Sequence, residues 1–117
     1  MIKLEFSEQS EARIIITGKS EIFRANVKEI THIGGEGYMS TIYLINGTTH
    51  STAHLLNEFE EKLKDHNFFR THKNTLINVN YATGVQITHK ERIVNINGIS
   101  IKVSRRKSAM LKKMLCS

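Results

Sequence analysis

The chain has 117 residues, 39% hydrophobic and 24% charged, with a single cysteine and no proline. Composition excludes a disordered chain and supports one domain with its own core. Lone Cys116 excludes an intramolecular disulfide and a cysteine-based zinc cage, and points to a reducing, cytoplasmic compartment. The net charge of +6 is uneven, with −3 over residues 1–60 and +9 over residues 61–117. A basic half on a compact domain is the footprint of a polyanion binder, and equally of a solvated basic surface.

The first residues alternate through Ile2, Leu4 and Phe6, the pattern of a short strand with one buried face, and carry Glu5 and Glu8 where a signal peptide would be apolar. No apolar run approaches the roughly 20 residues of a membrane span, so no membrane insertion is expected. Ile14, Ile15 and Ile16 form a β-branched run, and Ile22 and Phe23 resume after a hairpin turn expected at Gly18-Lys19. The first thirty residues read as strands.

Gly34, Gly35 and Gly37 interrupt the pattern around Ile30 and Ile33 and predict a loop between strands. It is not a phosphate cradle: Glu36 lies inside it, no helix follows, and no Lys-Ser/Thr pair is present. Its exit, Tyr38-Met39-Ser40, is placed to reach a ligand, although a half-buried strand aromatic is an equally good reading of Tyr38. Ile42, Leu44 and Ile45 make a strand ended by Asn46-Gly47, a strong hairpin signal, with residues 48–51 returning. Leu55, Leu56, Phe59 and Leu63 then recur at helical spacing. They predict one amphipathic helix with Ser51 or Thr52 as N-cap, ending near residues 65–67.

Residues 68–78, Phe-Phe-Arg-Thr-His-Lys-Asn-Thr-Leu-Ile-Asn, set core-type Phe68, Phe69, Leu76 and Ile77 beside Arg70, His72 and Lys73. The apolar members anchor a binding segment from behind; His72 and Asn78 read as structural. Residues 79–88 and 92–96 alternate as strands around a turn at 89–92, and Asn97-Gly98 turns into Ile99, Ile101 and Val103. Ser104 caps a short C-terminal helix whose apolar residues are Met110, Leu111, Met114 and Leu115. Arg105, Arg106 and Lys107 fall in its first turn, opposing the helix dipole, a cost that a docked anion would relieve.

The sum is a mainly β fold: elongated antiparallel sheets of about ten short strands, one amphipathic helix near the middle and a short helix at the end. A single domain over 1–117 is expected.

This arrangement resembles the LytTR-type DNA-binding domain of bacterial transcription regulators, the output domain of many response regulators. The family hallmark runs Phe, any, Arg, any, His, Lys or Arg, Ser, aromatic, Leu or Ile, Val, Asn. It is matched by Phe68, Arg70, His72, Lys73, Leu76 and Asn78, while Asn74, Thr75 and Ile77 depart from it. A second hallmark, Asn-Gly followed by an extended Val-Ser-Arg and a helix, appears at Asn97-Gly98 and Val103-Ser104-Arg105-Arg106. Together the motifs cover about residues 12–115. Members usually follow a receiver or membrane domain, so a stand-alone regulator or part of a larger one is expected.

The resemblance implies sequence-specific binding of double-stranded DNA, with loops rather than a recognition helix entering successive major grooves. It also implies paired direct repeats occupied by two molecules, and a signalling partner. It places the reading loops at Tyr38, Met39 and Ser40, at Lys73 with Asn74, and at Arg106 with its neighbours. Arg106 suits guanine O6 and N7, and Asn74 suits adenine N6 and N7. Arg105 and Lys107 suit phosphates, Lys73 either role, Tyr38 a sugar or phosphate, and Arg70 either a phosphate or a brace.

Two rival classes remain open at this level: a ribonuclease-like enzyme using His72 with His89, and a protein-interaction module. Against the enzyme, no carboxylate neighbours His72 in sequence to orient it. Only His50 and His54 are spaced four apart, straddling a strand-to-helix junction, so no metal and no cofactor are expected.

Overall fold

A computed structural model of the chain describes residues 3–7 and 12–116. Eleven strands and two helices follow in order: β1 (Lys3–Ser7), β2 (Arg13–Gly18), β3 (Glu21–Asn26), β4 (Ile30–Glu36), β5 (Met39–Leu44), β6 (Thr49–Thr52), α1 (Leu56–Leu63), β7 (Phe68–His72), β8 (Thr75–Asn78), β9 (Ala82–Ile87), β10 (Arg92–Ile96), β11 (Ile99–Lys102) and α2 (Arg105–Cys116). Single 3₁₀ turns at Val27–Glu29 and Val79–Tyr81 join the sheets.

All pairings are antiparallel, in three sheets of order β1-β2-β3, β6-β5-β4-β8-β7 and β11-β10-β9. The body measures 48 × 32 × 24 Å, so the expected elongated, mainly β architecture is what the chain adopts.

The β7–β8 hairpin is the wall shared by two cores. Side chains alternate faces along a strand. Phe68 and Leu76 therefore join Ile14, Ile16, Ile33, Ile42, Phe59 and Leu63 on one side, while Phe69 and Ile77 join Val94, Ile96, Ile101 and Leu111 on the other. Helix α1 closes the first core and α2 the second. Buried Asn78 ties the wall down: its amide donates to the Ile30 carbonyl at 2.9 Å and its Oδ1 accepts from the Asn80 N–H at 3.1 Å.

Several local expectations shift. Gly34 and Gly35 lie inside β4, not in a loop. A Cβ on Gly35 would meet Leu56 Cβ at 3.3 Å and Cδ2 at 3.4 Å, so the glycine there admits α1 onto the strand. Helix α1 is not capped by Ser51 or Thr52, which lie in β6. The Glu58 carboxylate instead accepts the Leu55 N–H at 2.7 Å, and the helix stops at Leu63. The first hairpin turns at Lys19-Ser20, one residue later than expected, because Gly18 pairs with Glu21.

On α2, Leu111 and Ser108 are buried with Met114 and Leu115 half-buried, whereas Met110 is exposed. A 3.6-residue period drawn through Leu111 turns Met110 outward. Ile2 and the side chains of Leu4 and Phe6, expected to form a buried face, lie outside the described residues.

Candidate nucleic-acid interface

Three segments meet along one side of the molecule. The tip of the β4–β5 hairpin is a two-residue turn, Gly37-Tyr38, between paired Glu36 and Met39, with Gly37 at φ +61° where glycine carries no steric penalty. Beside it, Lys73 and Asn74 form the exposed turn between β7 and β8. The Gly35 N–H donates to the Asn74 carbonyl at 2.8 Å and stitches the two turns together. Gly37, Met39, Lys73 and Asn74 line one shallow depression.

The third segment is the start of α2. The Ser104 N–H donates to the Thr71 carbonyl at 2.9 Å, fixing the helix origin to β7. Ser104 caps the helix as its sequence predicts: its hydroxyl accepts the Lys107 N–H at 3.3 Å, and its carbonyl accepts the Ser108 N–H at 3.0 Å. The first turn of α2 holds no acid, leaving Arg105, Arg106 and Lys107 at the positive end of the dipole. Arg106 and Lys107 line a cleft with Lys73, which makes the surface continuous from the hairpin tip to the helix.

Arg70 is a brace. Its guanidinium donates to Asn57 Oδ1 and Glu60 Oε1, each at 2.8 Å, to the His72 carbonyl at 3.2 Å, and to the Lys73 carbonyl. One side chain thereby ties α1 to the backbone of the 73–74 turn. Its side chain is only 16% exposed, so of the two roles open to it the bracing one fits the geometry. Among the described residues, Lys73, Arg105, Arg106 and Lys107 pair with no carboxylate. Lys107 sets its ammonium 5.4 Å from the centre of the Phe69 ring, a cation–π contact that limits its wandering.

The other predicted positions separate cleanly. Tyr38 is 85% exposed, not half-buried, and Met39 is 44% exposed. Ser40 is 1% exposed and its hydroxyl donates inward to the His54 carbonyl at 2.6 Å, so it supports the hairpin and presents nothing outward. His72, expected to be structural, is half-buried and lines the clefts on both sides of Ser104. Lys90, Arg92 and Lys102 line the next cleft with Arg105 and extend the basic surface. Sequence reading took residues 89–92 only as a turn; the signal was two cations within three positions. Among the described residues, no three His, Cys, Asp or Glu side chains group as metal ligands, and no helix is long and apolar enough to cross a membrane.

The family model of the LytTr DNA-binding domain matches residues 20–116. Among solved structures, the chain is similar to the LytTr DNA-binding domain of a Bacillus cereus protein described as a methyl-accepting/DNA response regulator. The TM-score is 0.73 at 18% identity, covering 91% of this chain and 98% of that one. At that identity the likeness is one of fold. No curated protein matches the sequence.

Proposed function

The chain belongs to the LytTr DNA-binding domain family, and from that premise we propose that it is a transcription regulator. On this reading it binds double-stranded DNA sequence-specifically, laying the β4–β5 tip, the β7–β8 turn and the start of α2 into successive major grooves. The observation that carries the reading is the run of cations, Lys73, Arg105, Arg106 and Lys107, which pair with no carboxylate among the described residues and line two adjoining clefts that share His72 and Ser104.

In this arrangement exposed Arg106 reads guanine through two parallel hydrogen bonds, and Asn74 reads adenine. Arg105, Lys107 and Lys73 hold phosphates, with Lys90, Arg92 and Lys102 extending that grip. Arg70 and Ser40 act as supports, not as contacts. Two molecules on paired direct repeats, in the cytoplasm, under a signalling domain of the same or a separate protein, complete the reading.

Selection of bound duplexes from a random pool, followed by titration at several salt concentrations, tests it. The selected duplex should bind at least tenfold more tightly than a scrambled one at about 150 mM salt, with affinity falling steeply as salt rises. Arg106→Ala should reduce that preference, relaxing it at the guanine that Arg106 reads. Equal affinity for selected and scrambled DNA would refute the proposal.

A further inference from the structure

Of the three segments, the β4–β5 tip alone carries no cation. It presents Glu36, Gly37, Tyr38 and Met39, all exposed. A carboxylate at its base is repelled by phosphates and no cation offsets it, so the tip is not built to grip the backbone by charge. What it offers instead is apolar: Tyr38 at 85% and Met39 at 44% exposure, backed by Leu55 at 47% from the start of α1. Met39 and Leu55 line the same depression as Lys73 and Asn74, and the Gly35 N–H to Asn74 carbonyl bond of 2.8 Å holds the tip against the cationic turn. An apolar surface is thus held in register beside a polar one.

We propose that Tyr38 and Met39 are specificity residues that read thymine, through its C5-methyl group, in the major groove; this rests on the DNA-binding reading above. The methyl is the one apolar feature among the base edges of that groove. Every other feature there is a hydrogen-bonding group, which contact with a thioether or a ring face would leave without a partner. The two-residue turn, with its flanks paired at Glu36 and Met39, restricts the backbone and keeps the contact from being averaged away. The tip accordingly selects A·T pairs at its end of the site, while Arg106 selects at the other.

Replacing thymine by deoxyuridine removes the methyl and leaves every hydrogen-bonding group in place. On the selected duplex, each thymine is exchanged singly and affinity is measured for the wild type and for Tyr38→Ser/Met39→Ser, both exposed sites whose folding is checked by circular dichroism. One or two thymines should each lose about three- to fivefold in wild-type affinity, the worth of one methyl contact. Those positions should become insensitive in the double variant.

A wild type that cannot distinguish the selected from the scrambled duplex sinks the DNA-binding reading itself. If it does distinguish them, three results overturn this inference alone: a flat deoxyuridine scan, sensitivity that survives in the double variant, or unchanged DNA binding by that variant. The last would leave the tip to a protein partner.

Discussion

Arg70→Ala tests whether the reading turn is held from behind. The substitution deletes four donated hydrogen bonds: two to the carbonyls of His72 and Lys73, and two to Asn57 and Glu60 on α1. Charged donors to carbonyls are worth about 1.5–3 kcal/mol each when buried, less at the edge of solvent where these lie. The ion pair adds about 0.5 kcal/mol, because the Glu60 side chain is 43% exposed. A loss of about 2–3 kcal/mol follows, roughly a 10 °C fall in Tm for a domain of this size.

The same loss frees the backbone of Lys73 and Asn74. Preference for the selected over the scrambled duplex should therefore fall about tenfold in titrations well below Tm, the equivalent of about 1.4 kcal/mol. The salt dependence of binding should not change, because a braced guanidinium neutralises no phosphate. Glu60→Gln keeps the hydrogen bond and should cost under about 1 kcal/mol. Two results would refute the reasoning: an Arg70→Ala protein of unchanged Tm and preference, or one whose salt slope drops by about 0.9, the signature of a lost phosphate contact.

Lys107→Ala should weaken binding to all duplexes alike and lower the salt slope by about one, measured by titration from 50 to 200 mM salt; a change in sequence preference would contradict its phosphate role. Gly35→Val forces a side chain into Leu56, whose Cβ already lies 3.3 Å from where a Cβ would sit. It should cost about 1–3 kcal/mol in denaturant melts and displace α1, whereas Gly84→Ala, with nothing within 4 Å, should cost far less.

His32 is 7% exposed, stacked on Tyr43 at 4.2 Å with Nδ1 2.9 Å from the Thr31 hydroxyl, and burial lowers its pKa from 6.5 to about 4. The unfolded chain therefore takes up a proton between those values that the folded chain does not. Its contribution is present in full above pH 6.5 and is lost as pH falls towards 4, up to about 3 kcal/mol. Urea melts from pH 7.5 to 4 should show that slope reduced in His32→Phe; parallel slopes would reject the assignment.

Most of the fold is legible in the residues because its signals are local. Asn97-Gly98 turns where it stands: Asn97 adopts φ +50° and Gly98 φ +83°, conformations these two residues tolerate best. Ser104 accepts hydrogen bonds from its own helix, and the alternation of Phe68 with Phe69 already implies two faces. Turn chemistry, capping and periodicity involve neighbours a few positions apart, so the chain states them directly.

What the sequence alone leaves undecided concerns close approach between distant segments. Gly34 and Gly35 read as a loop because glycine signals both freedom of the backbone and lack of a side chain; only the arrival of Leu56 shows that the second matters here. Ser40 reads as a loop residue until the His54 carbonyl meets it, and Arg70 as either a phosphate contact or a brace until Glu60 and the carbonyls of His72 and Lys73 fill its fork. Cations and hydroxyls carry no sequence mark of whether a partner awaits them. That is set by the packing of α1 and α2 against the β7–β8 wall, which turns Lys73 and Arg106 outward, Arg70 inward, and joins 73–74 to 105–107 as one surface.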